Sequence, residues 1–369
     1  MSSASSTILT FLGTRPEIIK LSPLIPRLTE SCKRSVLVHS GQHYSYEMDA
    51  RFFEELQLPE PDYKIKAGAA GLGAGEQTAR MLSGLEPILE TEKPALVIVQ
   101  GDTNTTLAGA LAAVKLGIPV LHLEAGCRSF NRTMPEEINR VLIDHIAKLL
   151  LAPDTVAMDN LIAEGCDKQA SVHIVGSTGL EACLRASKLA EDRKLLAELS
   201  VKPSEYFALT LHRAENTSAE VLPGLVKTIN ALSEMYPVVF PIHPRTEAML
   251  EKYGLELDNR VIRQKPMGYL DMIKLVSCSR ATLTDSGGLQ EEAAALGVPV
   301  LILRKETEWT YLVEAGKATL LGNKYPESYA IARACLKSEN LEAMQEARIQ
   351  IPKNVTEKIL GIIKQFLES

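Results

Sequence analysis

The stretch Val276–Leu303 constrains the fold of this chain most strongly, because it reads as strand, turn, helix, turn and strand. Ala281–Thr284 is short and apolar or β-branched, as a buried strand is, and Val298–Leu303 predicts a second buried strand. Leu289–Leu296 has helical composition between them, and Gly297 ends the helix. Consecutive strands joined by a helix run parallel, so this stretch predicts a parallel α/β sheet.

The turn Asp285–Gly288, with the sequence DSGG, opens the predicted helix at the carboxyl end of the first strand. Free backbone N–H groups and the positive end of the helix dipole meet at such a turn and favour an anion. Gly287 and Gly288 would let a phosphate approach the backbone closely. Glu291 and Glu292 lie near the helix start, where a carboxylate could accept hydrogen bonds from ribose hydroxyls. An ordinary strand–helix turn is the alternative for this stretch taken alone.

Strands and helices alternate along most of the chain. The other predicted strands are Thr7–Leu12, Ser35–His39, Ala95–Gln100, Val120–Leu123, Lys148–Ala152, Tyr206–Leu211, Val238–Ile242 and Val261–Arg263. The other predicted helices run from the Gly13–Glu17 turn to about Thr29, and over Leu107–Leu116, Glu136–Ala147, Val221–Met235 and Val355–Leu367. The glycine-rich stretch Ala67–Gly75 lacks the GxGxxG spacing and follows no strand, so it is predicted to be a surface loop.

The length of 369 residues favours two domains. Ile174–Gly179 is the predicted crossing between two halves that each repeat the alternation. The expected fold class is α/β, with two Rossmann-like doubly wound parallel-sheet domains that face a cleft. We expect an N-terminal domain over residues 1–176, a C-terminal domain over residues 177–353, and a final helix, 354–369, packed back on the first domain.

Composition narrows the class of protein. A net charge of −6 and a pI near 5.8 argue against a nucleic-acid binder. None of the six cysteines forms a CxxC pair, so we expect neither a zinc site nor a framework of disulfides. This cysteine usage is typical of a protein in the reducing cytoplasm. The N-terminus does not resemble a signal peptide, and no apolar run reaches membrane-spanning length. We therefore expect a soluble cytoplasmic protein that has no membrane or nucleic-acid partner.

Polar side chains cluster at the carboxyl ends of the predicted strands, which is the edge where doubly wound sheets bind ligands. These side chains belong to Arg15, Lys20, Gln42, His43, Asp102, Glu124, His212, Arg213, His243, Arg245 and the turn Asp285–Gly288. One such residue is usually a helix cap, but so many on one edge favour a site. The absence of GxxxxGK[ST] and of a GxGxxG after the first strand argues against a P-loop NTPase and a nicotinamide cofactor. His122-x-Glu124 lacks a third ligand at a recognisable spacing, so no metal is predicted.

Several longer blocks occur in a fixed order along nearly the whole chain. They are GTRPEIIKLSPLI (Gly13–Ile25), SGQHY (Ser40–Tyr44), QGDTNTTLAGALAAVKL (Gln100–Leu116), HLEAGCRSFNRTMPEEINR (His122–Arg140), LTLHRAENT (Leu209–Thr217), HPRT (His243–Thr246) and TDSGGLQEEA (Thr284–Ala293). Together they resemble the non-hydrolysing UDP-N-acetylglucosamine 2-epimerases. The resemblance implies the GT-B fold, a UDP-sugar held mainly by the C-terminal half, a homodimer and no cofactor.

The resemblance also implies a route for the chemistry. C2 of N-acetylglucosamine carries a hydrogen that is not acidic, and oxidation of a neighbouring carbon would normally need a nicotinamide site. The family is thought instead to eliminate UDP across C1 and C2, which gives 2-acetamidoglucal, and to add UDP back to form the manno epimer. The resemblance further implies that the product is used in polysaccharide biosynthesis.

Roles for individual residues follow from the resemblance. Asp102, Glu124 and Glu136 match the family's three acidic positions at the sugar. The diphosphate would be bound jointly by Arg15, His212, Ser286 and Gly287, with Lys20 nearby and Gly288 in the same turn as Gly287. Ribose would be bound by Glu292. Arg140 would orient a carboxylate or contact substrate, although a surface Glu136–Arg140 salt bridge worth about 0.2–0.5 kcal/mol is the alternative. Gln42, His43, Glu137, His243 and Arg245 match blocks that line a second, activating UDP-sugar site in bacterial relatives, and their alternative is packing and capping.

One stretch departs from the family pattern. Arg304–Trp309 reads RKETEW where the N-acetylglucosamine enzymes commonly have R-x-x-T-E-R-P-E. This form is closer to relatives that epimerise UDP-2,3-diacetamido-2,3-dideoxyglucuronate, so the substituents at C3 and C6 stay open. Arg304, Thr307 and Glu308 would still lie near the sugar, and Trp309 is either a packing residue or a wall facing the sugar. A GT-B glycosyltransferase, a hydrolysing epimerase and a non-catalytic nucleotide-sugar sensor are the other functional hypotheses.

Overall fold

A computed structural model of the chain describes residues 6–42, 46–69 and 71–369. The chain forms two compact units, which we call unit 1 (Met1–Ala182 with Pro352–Ser369) and unit 2 (Cys183–Ile351). The division falls within the helix Thr178–Leu189. No helix among the described residues is long and apolar enough to span a membrane.

Unit 1 is built on a parallel sheet. Its described strands are β1 (Thr7–Leu12), β2 (Arg34–His39), β3 (Tyr63–Lys64), β4 (Leu96–Gln100), β5 (Val120–Leu123), β6 (Leu149–Ala152) and β7 (Ser171–Ile174). The helices that alternate with them are α1 (Arg15–Leu21), α2 (Leu24–Ser31), α3 (Tyr46–Glu55), α4 (Ala74–Glu92), α5 (Asn104–Lys115), α6 (Pro135–Ile146), α7 (Thr155–Ala163) and α8 (Thr178–Leu189). The sheet order is β3-β2-β1-β4-β5-β6-β7, and each neighbouring pair is parallel.

Unit 2 repeats this plan. Its strands are β8 (Phe207–Thr210), β9 (Val238–Pro241), β10 (Val261–Gln264), β11 (Ala281–Thr284), β12 (Val300–Ile302) and β13 (Ala318–Leu320). Its helices are α9 (Leu195–Glu198), α10 (Leu222–Ser233), α11 (Pro244–Lys252), α12 (Tyr269–Ser277), α13 (Gly287–Ala295), α14 (Thr310–Glu314), α15 (Glu327–Cys335) and α16 (Ser338–Glu346). The order β10-β9-β8-β11-β12-β13 is again fully parallel. The predicted α/β fold class with two Rossmann-like sheets is therefore confirmed.

The strand order creates the same switch point in both units. Strand β1 has β2 as its neighbour on one side and β4 on the other. The chain adds β2 and β3 on the first side, and then β4 to β7 on the opposite side. In unit 2, β8 and β11 stand in the same relation. Ligands of such sheets bind at the carboxyl ends of the two strands that flank the switch. The functional residues of each unit should therefore lie just after these strands.

Apolar residues explain why the sheets are covered on both faces. Strand β4 is buried at every position, and β11 likewise, as continuous apolar or β-branched runs require in parallel sheets. The last helix, α17 (Val355–Glu368), belongs to unit 1, where it buries Val355, Ile359 and Ile363. The backbone N–H of Thr356 donates to Glu181 Oε2 at 2.9 Å and fixes the start of this helix.

Some predicted elements were wrong in detail. The helix expected to reach Thr29 is two helices, because Pro23 has no N–H to donate and its ring would clash with the preceding turn. The loop predicted over Ala67–Gly75 ends earlier, since α4 begins at Ala74. The helix predicted from Leu107 begins at Asn104, with the hydroxyl of Thr103 accepting from the N–H of Thr106 at 3.2 Å as its cap.

Candidate active site

A buried glutamate closes the loop between β1 and α1, and the sequence analysis did not single it out. Oε2 of Glu17 accepts hydrogen bonds from the backbone N–H groups of Gly13 at 2.7 Å and Thr14 at 2.8 Å. Its Oε1 accepts from the hydroxyls of Thr103, the N-cap of α5, and of Thr106 in the first turn of that helix. Burial raises the pKa of Glu17 above its usual value, although these hydrogen bonds oppose the shift. One carboxyl group thus joins both loops at the switch point, and the Thr14-x-x-Glu17 capping-box pattern was the signal for it.

The first ion pair of the site joins α1 to the end of β5. Lys20 Nζ lies 2.6 Å from Oε2 of Glu124, and both side chains are largely buried. Burial lowers the pKa of Lys20, but the Glu124 carboxylate outweighs it and the pKa is raised, so the ammonium stays charged. Glu124 has φ +64°, in the left-handed region that non-glycine residues rarely adopt. Backbone strain of this kind concentrates at functional sites, where surrounding contacts hold it.

The second ion pair joins the end of β4 to α6. The guanidinium of Arg140 donates to Oδ2 of Asp102. Nδ2 of Asn139 donates to the backbone carbonyl of Asp102 at 2.9 Å and fixes the same loop. Asp102 and Glu124 follow the adjacent strands β4 and β5, so the structure brings two of the three predicted acidic residues to one edge of the sheet.

The third predicted acid, Glu136, stands apart from these contacts. It is exposed on the first turn of α6, and it makes no hydrogen bond or ion pair with any residue that the structure describes. The interpretation of Glu136 and Arg140 as a surface salt bridge is wrong, because Arg140 pairs with Asp102 instead. Nη1 of Arg140 also lies 3.4 Å from Oε2 of Glu137. Glu137 is buried and accepts from both the N–H and the hydroxyl of Ser129. Burial raises the pKa of Glu137, but the hydrogen bonds from Ser129 and its neighbour, with Arg140, bring it below its usual value.

Other predicted residues of unit 1 have structural contacts. Nε of Arg15 lies 3.5 Å from Oδ1 of Asp49, and its guanidinium stacks over the Phe52 ring at 5.5 Å. Oε1 of Gln42 accepts from the N–H of Thr105 at 2.9 Å and from its hydroxyl at 2.7 Å, so it caps the start of α5. His43 lies outside the described residues.

In unit 2, a buried aspartate organises the loop after β8. Asp285 follows β11 and accepts hydrogen bonds from the backbone N–H of His212 at 3.1 Å, from that of Arg213 at 2.9 Å and from Nδ2 of Asn216 at 3.2 Å. Nδ1 of His212 lies 3.1 Å from Oδ1 of Asp285, which orients the half-exposed imidazole. Burial raises the pKa of Asp285, but the contacts with His212 and Arg213 outweigh it and leave the pKa below its usual value.

The predicted phosphate turn begins α13. Ser286 is the N-cap of this helix, and Gly287 and Gly288 are its first two residues. The first N–H groups of a helix have no intrahelical acceptor, so this turn offers donors to an anion. A Cβ at Gly287 would lie 2.5 Å from Oε1 of Glu308, whereas one at Gly288 would meet nothing within 4 Å. Nε1 of Trp309 donates to the carbonyl of Gly287 at 2.9 Å, which supports the packing interpretation of this tryptophan.

The motif that departs from the family pattern forms a charged cluster. Glu308 lies between two cations: its Oε1 accepts from Arg213 at 3.3 Å and its Oε2 from Arg304 at 2.6 Å. Burial raises the pKa of Glu308, but a backbone hydrogen bond and Arg304 outweigh it and lower the pKa. The Thr307 hydroxyl donates to Oε1 of the buried Gln290 at 2.6 Å. The cluster holds this loop against the start of α13.

Three further predicted residues lie elsewhere in unit 2. Oε1 of Glu292 accepts a hydrogen bond from the hydroxyl of Tyr269 at 2.9 Å. His243 is the N-cap of α11, and its Nδ1 accepts from the N–H of Arg245 at 3.1 Å. The ring centroids of His243 and His212 are 6.0 Å apart, and burial followed by His212 lowers the pKa of His243. The side chain of Arg245 is exposed.

One group of potential metal ligands occurs among the described residues. Donor atoms of His145, Glu164 and Cys166 lie within 4.8 Å of one another. Both oxygens of Glu164 accept from the guanidinium of Arg128 at 2.8 Å, and burial raises the pKa of Cys166 to about 11. Sγ of Cys166 is also equally far, at 4.0 Å, from both nitrogens of His145, so neither nitrogen points at the sulfur. Because Glu164 is paired with Arg128 and the Cys166 thiol is protonated, these three residues are not predicted to bind a metal ion.

The comparison with known families decides the class of this protein. Residues 27–364 match the model of the family described as UDP-N-acetylglucosamine 2-epimerase. The chain belongs to the UDP-N-acetylglucosamine 2-epimerase family. The resemblance noted from the sequence blocks is thereby confirmed.

Relatives in this family match the chain over most of its length. A UDP-N-acetylglucosamine 2-epimerase of Methanococcus maripaludis is 48% identical, over 85% of this chain and 87% of the relative. A UDP-2,3-diacetamido-2,3-dideoxy-D-glucuronate 2-epimerase of Pseudomonas aeruginosa is 43% identical, over 85% and 88%. The crystal structure of Methanocaldococcus jannaschii UDP-GlcNAc 2-epimerase in complex with UDP-GlcNAc and UDP superposes with a TM-score of 0.80 at 41% identity, and covers 97% of this chain and 99% of that one. The GT-B-like fold of the family is thus also the fold of this chain.

Proposed function

We propose that this protein is a non-hydrolysing C2 epimerase, an isomerase that interconverts UDP-N-acetylglucosamine and UDP-N-acetylmannosamine. The observation that carries the proposal is the pair of carboxylates, Asp102 and Glu124, that follow adjacent strands and are each held by a cation. Removal and return of a C–H proton requires such positioned acid–base groups. Membership of the epimerase family supports the same assignment.

The reaction consists of two related steps. A carboxylate removes the C2 proton while the C1–O bond breaks and its electrons leave with UDP, so that a C1=C2 double bond forms in 2-acetamidoglucal. UDP then attacks C1 again, and a proton is delivered to C2 from the opposite face of the ring. Two faces need two acid–base groups, and Asp102, Glu124 and the exposed Glu136 are the candidates for these roles.

Departure of the diphosphate requires stabilisation of its developing charge. A helix N-terminus contributes about 0.3–1 kcal/mol when exposed and up to about 2 kcal/mol when partly buried. A preorganised donor in a dry site is worth about 3–4 kcal/mol, so the α13 terminus needs partners. We assign this role to Ser286, Gly287 and Gly288 with His212, whose ring Asp285 orients. Arg15 and Lys20 are assigned to the diphosphate, and Glu292 to ribose, because they match the family's motifs.

A second substrate is supported by the motif Thr307-Glu308-Trp309 and by the Pseudomonas aeruginosa relative. That substrate carries a C6 carboxylate and an acetamido group at C3. Near this motif Glu308 pairs with both Arg213 and Arg304, and Nε of Arg304 also lies 3.8 Å from Oε1 of Glu215. Two cations balanced by two anions favour an uncharged sugar, and this ranks UDP-N-acetylglucosamine first. Arg304, Thr307 and Glu308 are assigned to the sugar in either case.

The proposal includes a homodimer. Helix α6 and the loop before it present apolar side chains to solvent: Phe130 is 75% exposed, Met134 36%, Ile138 44% and Leu142 48%. The last three are four residues apart and therefore share one helix face. Contiguous exposed apolar surface of this kind marks protein–protein contacts. Leu142→Glu should shift the molar mass measured by light scattering towards the monomer, whereas Val156→Glu, at a position 68% exposed on α7, should not.

Two other parts of the assignment concern location and regulation. All six cysteines are free, which supports a reducing compartment and hence a cytoplasmic protein. A second UDP-sugar site that includes Gln42, His43, Glu137, His243 and Arg245 is retained as part of the proposal. For Gln42 and Glu137 the local hydrogen bonds described above favour a structural role.

The test of the proposal is the fate of the nucleotide. Incubation with UDP-N-acetylglucosamine should give UDP-N-acetylmannosamine as the main product, with only traces of free UDP and glucal. A stoichiometric yield of free N-acetylmannosamine and UDP would instead indicate a hydrolysing epimerase. UDP release that requires an added sugar acceptor would indicate a glycosyltransferase. Tight binding of the UDP-sugar without any turnover would indicate a sensor.

A further inference from the structure

Strand β5 carries a histidine with two strong hydrogen-bonding contacts and no exposure to solvent. Nδ1 of His122 lies 2.7 Å from Oδ1 of Asp144, and Nε2 lies 2.7 Å from the backbone carbonyl oxygen of Gly101. The side chains of His122 and Asp144 are both completely buried. The sequence analysis considered this histidine only as a metal ligand or a packing residue.

The hydrogen-bonding chemistry of the two partners determines how many protons the His122 ring carries. A backbone carbonyl oxygen can only accept a hydrogen bond. Oδ2 of Asp144 accepts from the N–H of Gly126 at 3.0 Å and pairs with the guanidinium of Arg128 at 2.7 Å. Because a fully buried guanidinium needs an anionic partner, this carboxyl group is ionised and also only accepts. A neutral imidazole would therefore direct a lone pair at an oxygen atom 2.7 Å away.

The surrounding charges balance a protonated ring. Asp144 of α6 and Glu164, which follows α7, are the anions, and Arg128 of the loop after β5 contacts both of them. Two cations, His122 and Arg128, then face two anions. Buried charges are tolerated when they are paired and hydrogen-bonded in this way. Other titratable groups beside this network include His145, Asp167 and the thiol of Cys166, whose pKa burial raises to about 11.

The position of the ring links it to the proposed active site. The Gly101 carbonyl belongs to the peptide bond that leads into Asp102, and Glu124 follows His122 by two residues, directly after the end of β5. Gly101 and Glu124 both adopt left-handed backbone conformations, with φ of +76° and +64°. The N–H of Gly101 donates to the carbonyl of Leu123 at 3.0 Å. Both the N–H and the carbonyl of Gly101 therefore form hydrogen bonds with residues of β5, and these bonds connect the ends of β4 and β5.

We propose that His122 is a buried imidazolium that positions Asp102 and Glu124 by holding the Gly101 carbonyl. Its role as a positioning residue rests on the proposed function, because the two carboxylates are the acid–base groups assigned above. His122 is completely buried, so it acts through the loops and does not touch substrate. The charge state of the ring, in contrast, is a property of the folded protein and does not depend on any reaction.

The first experiment measures the charge of the ring directly. In protein with 15N-labelled histidine, long-range proton–nitrogen spectra at pH 7.5 distinguish a ring with two protonated nitrogens from a ring with one. Of the seven histidines, the one whose signals disappear in His122→Gln should show two protonated nitrogens. If His122→Gln does not fold, the displacement of the same signals in Asp144→Asn provides the assignment. One unprotonated nitrogen on His122 would overturn the proposal.

The second experiment measures the positioning role. A glutamine can donate to only one of the two acceptors, so His122→Gln should lower kcat about 10²-fold, as small misplacements of catalytic groups do. KM and the affinity for UDP should change less than about twofold, since UDP is assigned mainly to unit 2. His145→Gln, which changes an exposed histidine on α6, is the matched control and should retain wild-type kcat. An unchanged kcat in folded His122→Gln would overturn the positioning role.

These two readouts separate the inference from the proposed function. A wild-type protein that shows no turnover would refute the epimerase assignment, and with it the catalytic meaning of the positioning. The nitrogen spectra would still decide whether His122 is an imidazolium. A doubly protonated ring together with a kcat loss confined to His122→Gln is the combination that the inference predicts.

Discussion

Nζ of Lys20 lies 2.6 Å from Oε2 of Glu124, and this contact joins the last turn of α1 to the end of β5 across a sequence separation of 104 residues. Glu124 is also held in a left-handed backbone conformation. A flexible glutamate is thus fixed in one orientation at the edge where doubly wound sheets bind ligands.

The Lys20–Glu124 contact predicts a loss of turnover when the carboxylate is removed. Glu124→Gln should lower kcat by about 10²–10⁴-fold, because an amide cannot transfer a proton. Lys20→Met should also lower kcat, since Glu124 loses the partner that orients it. Lys64→Met is the matched control, because Lys64 forms an exposed pair with Glu60 at 2.8 Å. Initial rates with saturating UDP-sugar check this, and wild-type turnover in Glu124→Gln would remove Glu124 from the mechanism.

Glu17 predicts a stability effect that depends on the hydrogen-bonding capacity of the replacement. Glu17→Ala leaves two buried N–H groups and the hydroxyl of Thr103 without this acceptor, while Thr106 keeps the carbonyl of Gln100, and it should lower the free energy of unfolding by about 3 kcal/mol or more. Glu17→Gln should be milder, because its oxygen can accept from the N–H groups while its amide donates to the hydroxyls. Denaturant unfolding measures both, with Glu76→Ala on the exposed face of α4 as the control. Equal losses for Ala and Gln would contradict the acceptor role.

Gly288 predicts opposite effects on stability and on nucleotide binding. A Cβ there meets no atom within 4 Å, so Gly288→Ala should keep or slightly raise the free energy of unfolding, since alanine favours the helix by about 1 kcal/mol. The affinity for UDP should nevertheless fall if the diphosphate occupies that space. Calorimetric titration with UDP provides the measurement, and Gly361→Ala, an equally open glycine in α17, is the control. Unchanged UDP affinity in Gly288→Ala would remove this turn from the diphosphate site.

Cys127 gives a pH-dependent reporter of the charge on Glu124. Burial, followed by Glu124 and Asp154, raises the pKa of the Cys127 thiol to about 12. Only the thiolate is alkylated, so at pH 9 the reactive fraction is about 10⁻³ and the rate should rise with pH up to about 12. Glu124→Gln removes one negative charge, lowers the pKa and should therefore increase the rate of iodoacetamide labelling at pH 9. Peptide mass spectrometry follows Cys127 alone, and an unchanged rate would show that Glu124 carries no charge near this thiol.

The sequence predicted the parts of this protein that depend on local pattern. The strands Thr7–Leu12, Val120–Leu123 and Ala281–Thr284 have the predicted bounds, because apolar runs between turn residues specify buried strands. Strands such as Tyr63–Lys64 and Ser171–Ile174 were missed, since they are short, lie near the sheet edge and are only partly buried. Their pairing depends on neighbouring strands rather than on their own composition.

The site was predicted in part for the same reason. Asp102 and Glu124 follow strands whose order places them together, so the alternation and the motifs found them. Arg140 was named by resemblance as a residue that orients a carboxylate or contacts substrate, but the sequence did not show that this carboxylate is Asp102, 38 residues away. Glu17 and His122 act through partners up to 89 residues away, such as Thr106 for Glu17, and no local pattern displays such contacts.

The measurement that tests the account most directly is hydrogen exchange at C2 in deuterated water, with UDP-N-acetylglucosamine and UDP-2,3-diacetamido-2,3-dideoxyglucuronate assayed side by side. Proton removal by a carboxylate predicts that recovered substrate and manno epimer both carry deuterium at C2, with UDP-N-acetylglucosamine exchanged faster. Epimer formed without any deuterium at C2, or unlabelled substrate recovered with no epimer, would contradict the mechanism.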